Sequence, residues 1–370
     1  MNDNAASESQ QSRPLTFIRR AHDFYGSLFA DLRAARQTVR IQMYCVEEGA
    51  AAAEFKACLV ECARRGVDVE LMYDSVGSMY THASYFSEME RAGVRVSEYH
   101  PARVFSFFGR ASFRRLFRRN HRKLVVIDSH IYYVGGMNIG DRFLEWEDIM
   151  VRGEGEPAGK LAASFDRVWG RRKIDHHKSR RSRIKSRMLS DIQVWDSRPA
   201  VDNYPVKRLY MSAIKKAKKR VWIAQAYFVP RRRLLKALMH AANKGVDVRL
   251  VIPDVSDVKL VDMAAWPSLA KLAENGVKVY RFTRSVLHTK MALIDDRWLS
   301  IGTANLDSMS MYWNLEINLV MRGGGALKNG EEIFSDYFAQ SRLMDPEEPK
   351  QRPLPLRILG LLLHYYGWIL

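Results

Sequence analysis

Apolar residues along this chain recur with two different periods, and the switches between them mark out alternating elements. Short runs at 39–46 (VRIQMYCV) and 221–229 (VWIAQAYFV) are crowded with β-branched and aromatic residues and predict strands. Apolar positions three and four apart then predict helices near 53–65 and 83–92 in the first half, and near 231–243 and 265–274 in the second. Each helix closes at a glycine and runs into another alternating stretch. In the first half these are Ala63-Arg-Arg-Gly-Val-Asp-Val-Glu-Leu-Met-Tyr-Asp74 and Ala92-Gly-Val-Arg-Val96. Their counterparts are Ala242-Asn-Lys-Gly-Val-Asp-Val-Arg-Leu-Val-Ile-Pro-Asp254 and Asn275-Gly-Val-Lys-Val279. The same order of strand and helix thus occurs twice. The expected fold class is α/β, with two pseudo-twofold-related lobes, each a mainly parallel sheet flanked by helices.

The pattern divides the chain into a polar, disordered tail at 1–15, a first lobe at 16–170, a basic linker at 171–200, a second lobe at 201–345 and an apolar C-terminal segment at 346–370. The tail has no apolar stretch of the kind a signal peptide or N-terminal membrane helix needs. The last segment is interrupted only by Arg357 and His364 from 354 onward. As a helix it would extend about 24 Å, short of the roughly 30 Å hydrocarbon core of a bilayer. Two readings stand for it: a helix lying in a membrane interface with Tyr365, Tyr366 and Trp368 at the headgroups, or a terminal helix docked on the protein.

Composition narrows the class. With 370 residues and 47% hydrophobic positions, there is ample material for two cores, which excludes a disordered chain. Three cysteines, Cys45, Cys58 and Cys62, make no disulfide framework and complete no metal site, so they read as small buried apolar residues. The net charge is +18, but three stretches, 101–123, 171–187 and 207–233, carry +26 between them, and the remainder is therefore −8. Concentrated cations of this kind suit polyanionic partners, a phospholipid surface or nucleic acid.

The chemistry lies in a second repeat. His121-Arg-Lys123, Asp128 and Gly135-Gly-Met-Asn138 match His288-Thr-Lys290, Asp295 and Gly302-Thr-Ala-Asn305 in the form His-x-Lys-x4-Asp-x6-Gly-x-x-Asn. In an extended segment positions i and i+2 share a side, so each imidazole and ammonium face one phosphate together. Asp128 and Asp295, at odd spacing from the lysines, fall on the opposite face and read as structural. Lys123, Lys290, Asn138 and Asn305 supply cations and donors for the non-bridging oxygens of a phosphodiester. One neutral imidazole suffices as nucleophile and a second, protonated, as acid, with no metal or cofactor expected. The residues leave open which histidine attacks. Asp148 and Glu316, ten and eleven positions beyond the paired asparagines, suit the orienting of an imidazole, although each also reads as a solvated strand carboxylate.

On these motifs, over about 35–340, the chain resembles the phospholipase D superfamily, and within it bacterial cardiolipin synthases that lack N-terminal membrane helices. Further matching residues are Gly135 to Phe143 with Trp146-Glu-Asp148, Ala226-Tyr-Phe-Val-Pro230, and Gly302 to Asp307 with Asn314-Leu-Glu316. Met309 departs from the pattern, standing where a basic residue is expected before Ser310. The resemblance implies a duplicated phospholipase D-like fold, a phosphohistidine on His121, His288 as acid and then base, structural Asp128 and Asp295, and an acid at the Asp148 and Glu316 positions. It implies a metal-independent phosphatidyltransferase that makes cardiolipin from phosphatidylglycerol with release of glycerol. The alternatives are a phospholipase D-type hydrolase or nuclease using water, and, from another class, a module that merely binds nucleic acid.

The two halves differ just before their motif strands, where the first carries about sixteen extra residues. The insertion at 101–119 interleaves five phenylalanines with six arginines. Phe105, Phe107, Phe108, Arg114, Arg115, Arg118 and Arg119 are expected to meet membrane and lipid phosphate. The same composition suits single-stranded nucleic acid or packing of Phe beneath solvated Arg. The partner expected is thus an anionic phospholipid membrane with phosphatidylglycerol as substrate, no obligatory nucleic acid, and a peripheral location on the cytoplasmic side of a bacterial inner membrane.

Overall fold

The computed structural model describes residues 15–101, 117–170, 191–198, 204–348 and 351–366. The first lobe runs β1 (Thr16–Ile18), α1 (Ala21–Ala34), β2 (Thr38–Met43), α2 (Ala50–Arg64), β3 (Asp68–Asp74), α3 (Ala83–Arg91), β4 (Arg95–Tyr99), β5 (Leu124–Ile127), β6 (Ile131–Gly135), β7 (Met150–Glu154) and α4 (Glu156–Trp169). The second runs β8 (Ile192–Ser197), α5 (Pro205–Lys216), β9 (Arg220–Gln225), α6 (Arg232–Asn243), β10 (Asp247–Pro253), α7 (Lys259–Glu274), β11 (Lys278–Phe282), β12 (Lys290–Ile294), β13 (Trp298–Gly302), α8 (Ser308–Tyr312), β14 (Glu316–Met321), α9 (Gly324–Ala339), β15 (Ser341–Leu343) and α10 (Leu354–Tyr366). One sheet has the order β1-β7-β6-β5-β2-β3-β4 and the other β15-β11-β10-β9-β12-β13-β14-β8. Strand β8 lies within the stretch expected as linker and pairs antiparallel with β14 along its whole length.

Only β2, β3 and β4, and their counterparts β9, β10 and β11, run parallel. The motif strands β5 and β12 run antiparallel to β2 and β9, so both sheets are mixed rather than mainly parallel. Beyond them the sheet continues antiparallel: Asp128 and Ser129, both near φ +50°, form the tight turn that joins β5 to β6, and a turn this short connects only antiparallel neighbours.

Alternation along the motif strands sends each side chain to one of two cores. Val125 and Ile127 on β5 pack under the first lobe's helices, whereas Leu124 and Val126 join a layer that also takes Met291 and Leu293 from β12. This shared layer, with Tyr132, Phe165, Trp222 and Phe334, is buried between the sheets and locks the lobes together. Ala292 and Ile294 face the second lobe's own core.

Helix α10 docks against α7. Gly360 lets the backbones approach, since a Cβ there would lie 3.0 Å from the Met263 carbonyl, and the Nδ1–H of His364 donates to the Ala264 carbonyl at 3.2 Å. Leu354, Ile358, Leu361, Leu362 and Tyr365 are nevertheless exposed, Tyr365 to 78%. No helix among the described residues is long and apolar enough to cross a membrane.

Candidate active site

The two histidines are placed by backbone ties that cross between the lobes. The N–H of His121 donates to the carbonyl of Leu315, and that of His288 to the carbonyl of Glu147, at 3.1 and 2.7 Å. Each accepting residue directly precedes an acid, and the acids follow the same crossing. Nδ1 of His121 lies 3.1 and 3.2 Å from the two carboxylate oxygens of Glu316, and Nδ1 of His288 lies 2.6 Å from Asp148 Oδ2. An imidazole that donates from Nδ1 to a carboxylate keeps its lone pair on Nε2, the nitrogen left to meet substrate.

Glycines make room for this. A Cβ on Gly135 or Gly302 would lie 2.1 Å from the Ile149 carbonyl or 2.3 Å from that of Ile317, so neighbouring strands could not close. Gly136 does the same for the site itself, because a Cβ there would lie 2.2 Å from Asp148 Oδ1. The corresponding residue of the second lobe is Thr303, whose hydroxyl donates to Glu316 at 2.5 Å.

Lys123 and Lys290 are buried, and each Nζ donates to the carbonyl of the histidine two residues before it. Lys123 also sits 4.7 Å over the Tyr44 ring, which packs edge-on against His121. Burial, opposed by nearby carboxylates, lowers Lys123 to about 7 and Lys290 to about 8. Burial and then the two lysines hold His121 well below the ordinary imidazole value; burial and Lys290 lower His288 against the pull of Asp148. Burial pushes Glu316 upward, while Lys123, the Thr303 hydroxyl and Lys290 oppose it and favour the carboxylate that accepts from His121. Both histidines are therefore held toward their neutral form. An entering phosphodiester anion offsets the lysine field and favours a proton on one of them.

Asn138 and Asn305 are buried in the same centre; the Oδ1 of Asn138 accepts from the Cys45 N–H at 3.3 Å, and that of Asn305 has no hydrogen-bond partner among the described residues. The intervening residues turn away from the reacting groups: Arg122 reaches back to Ser164 and the Ser197 carbonyl, and Thr289 to Tyr337. Among the described residues no three His, Cys, Asp or Glu side chains are grouped so as to hold a metal ion.

Other expected residues lie differently. Asp128 and Asp295 sit one position past their strands, in turns at φ +51° and +50°. There they accept backbone N–H groups, Asp128 from residues 36–38 and Asp295 from residues 218–220. Arg119, expected at a membrane, is 5% exposed, with a guanidinium nitrogen 3.5 Å from Asp74 and another donating to the His100 carbonyl. It is interior because its own carbonyl holds Leu315, just before Glu316. Arg118 is half-buried, and its carbonyl lies 2.9 Å from His100 Nδ1. Phe105, Phe107, Phe108, Arg114 and Arg115 lie outside the described residues.

Sequence reasoning passed over the aromatic surround. Trp146 and Tyr227 lie 5.2 and 6.0 Å from the His288 ring, and the Tyr227 hydroxyl donates to Asp257. Both belong to segments that carried the family resemblance, which was the available signal. Arg19, paired with Glu147 and Asp336, braces the crossing strand from outside both motifs and left no signal.

The family described as "Cardiolipin synthase, PLD-like domain" matches residues 28–169 and 210–338. A cardiolipin synthase of Geobacillus kaustophilus is 32% identical over 92% of this chain and 69% of its own length. Cardiolipin synthase A of Buchnera aphidicola is 30% identical over 96% and 75%. In fold, the chain superposes on a phosphatidylserine synthase of Haemophilus influenzae with a TM-score of 0.76, covering 96% of this chain and 95% of that one at 14% identity. With the duplicated His-x-Lys sets meeting between two lobes of this fold, the chain belongs to the cardiolipin synthase family of phospholipase D-like domains.

Proposed function

We propose that the protein is a phosphatidyltransferase that joins two phosphatidylglycerol molecules into cardiolipin and releases glycerol. The observation that carries this reading is the crossed pairing of His121 with Glu316 and of His288 with Asp148. Two imidazoles, each fixed in one tautomer and both in the field of Lys123 and Lys290, suit double displacement at phosphorus. Nε2 of His121 attacks, the bond from phosphorus to the glycerol oxygen breaks, and His288 gives that oxygen a proton. His288 then removes a proton from a hydroxyl of the second lipid, whose oxygen displaces His121 and leaves the phosphatidyl group on the acceptor. Lys123, Lys290, Asn138 and Asn305 stabilise the equatorial oxygens in both steps.

The protein works at a membrane surface, on the cytoplasmic side of a bacterial inner membrane. The apolar outward face of α10 supports this, as do the rings and guanidinium groups of the 101–119 insertion directly before His121. Hydrolysis uses the same intermediate with water as acceptor, and the exposed apolar face favours lipid over nucleic acid as substrate. Mass spectrometry of phosphatidylglycerol vesicles incubated with the protein tests the assignment. Cardiolipin and glycerol in equal amounts support it; phosphatidic acid as the only lipid product replaces it with a hydrolase.

A further inference from the structure

The basic stretch 207–233 has no part in the chemistry above. Its two ends meet in the structure. Lys207, Arg208 and Lys215 on α5 and Arg231 and Arg233 at the start of α6 converge on a cavity of about 300 Å³. Two of them contact one ring: Arg231 lies 3.8 Å and Lys207 4.3 Å from the Tyr312 ring centre. Arg231 also donates from Nε to the Ser308 hydroxyl, a neutral partner. Like charges gathered on one cavity repel, and an anion between them reverses the sign. The one carboxylate on the lining, Asp307, is buried and already accepts the Ser310 N–H.

Comparison of the two lobes shows what is missing. Three residues after Asn138, Asp141 caps the start of α2, accepting from the N–H groups of Ala50 and Ala51 at 2.7 and 2.8 Å. Three residues after Asn305 stands Ser308, which carries no charge and whose hydroxyl accepts from Arg231 Nε at the start of α6. The first lobe thus supplies its own anion where the second presents cations and a void. The wall beside these cations is apolar, with Leu234, Leu306 and Met311, and Leu306 directly follows the motif asparagine Asn305. A charged pocket with an apolar wall, at the lower end of the size range of small-ligand sites, suits a phosphate carried on glycerol better than a free ion.

We propose that this cavity holds the phosphate-bearing headgroup of a second anionic glycerophospholipid beside the Asn305 loop. The proposal rests on the lipid reading of the catalytic centre. The test is lysine acetylation of the full chain carrying His121→Ala, which cannot turn lipid over, with and without soluble dihexanoylphosphatidylglycerol. Labelling of Lys207 and Lys215 should fall about fivefold at saturation, while Lys236 and Lys244, exposed on the same lobe away from the cavity, stay unchanged. Adding Arg231→Gln and Arg233→Gln should abolish the protection without lowering the melting temperature. Equal protection by inorganic phosphate, or better protection by a single-stranded oligonucleotide, would overturn the lipid assignment. Absence of protection, in a protein whose parent makes cardiolipin, would overturn the site itself. Protection that persists while the parent makes no cardiolipin would support the cavity and sink the reading of the centre.

Discussion

Asp148 of the first lobe takes the Nδ1 hydrogen bond of His288 in the second, at 2.6 Å, and Glu316 of the second stands in the same relation to His121 in the first. Neither lobe therefore holds a complete imidazole–carboxylate pair of its own. The lobes share a buried apolar layer for the same reason, since a shift of about an ångström between the sheets would break both pairs together.

The crossing separates the roles of the two acids. Asp148→Asn should lower turnover roughly 10²- to 10⁴-fold through His288 alone, and Glu316→Gln comparably through His121. Acid quenching with a substrate whose leaving group needs no proton distinguishes them. The Asp148→Asn protein should still accumulate a phosphatidyl adduct on the His121 peptide, and the Glu316→Gln protein should form it slowly. An adduct found only on His288 reverses the assignment of nucleophile.

Gly136→Ala is a test of geometry rather than of chemistry. The added methyl group lies 2.2 Å from Asp148 Oδ1, so the carboxylate must move off His288. Turnover should drop about tenfold or more while the substrate KM changes little, because the acid–base partner and not the phosphate cradle is displaced. A wild-type rate in this variant would show that the Asp148 contact is dispensable.

Both lobes were legible because their patterns are local: glycine-closed helices run into alternating strands, and His-x-Lys places two side chains on one side of an extended segment. The crossing was not. Near-matching spacing, ten positions from Asn138 to Asp148 and eleven from Asn305 to Glu316, pairs each acid with its own motif on paper, and the bridges from Asn120 to Leu315 and from Glu147 to Leu287 exchange them. Asp128 was read as the back of a strand, whereas its left-handed φ and its three backbone donors make it the tie between a hairpin turn and the loop before β2. The three-residue strands β1 and β15 are too short for periodicity to register, and the place of β8, inside a basic stretch, depends on the strand it pairs with. Arg119 showed as one more arginine in a basic run because burial against Asp74 is a long-range fact.

The lowered lysine values set the pH dependence. Both lysines stabilise phosphate only when protonated, so kcat/KM should fall as pH rises through about 7 to 8, where Lys123 and Lys290 lose their protons in the free protein. His121 must be neutral to attack, and its depressed value puts the acid limb below the ordinary imidazole range. Lys123→Arg, charged at every accessible pH, should move the alkaline limb upward if it retains activity. A plateau running to pH 10 would show that neither lysine is depressed.

Two imidazoles and two ammonium groups make the proposed double displacement complete without a metal ion. EDTA should leave the rate of cardiolipin formation within about twofold of the untreated protein. Loss of activity on chelation, restored by Mg²⁺ or Zn²⁺, would require another mechanism.

Binding to the membrane should divide into two separable parts. Arginine near an anionic surface contributes about 1 kcal/mol, an attraction that salt screens, whereas buried apolar side chains contribute a part that salt leaves intact. Leu354, Leu361, Leu362 and Tyr365 are exposed on α10, while Leu363 packs on the second core and His364 reaches the Ala264 carbonyl. Changing the four outward residues to serine should therefore weaken sedimentation with phosphatidylglycerol vesicles at high salt and leave the melting temperature unchanged. Arg114→Gln with Arg115→Gln should weaken it mainly at low salt. Leu363→Ser separates docking from insertion, since it frees the helix from α7 without removing the outward apolar face, and should lower stability while vesicle binding persists. Unchanged sedimentation of the outward serine variant across the whole salt series would make α10 a packing element and leave the membrane contact to the insertion before His121.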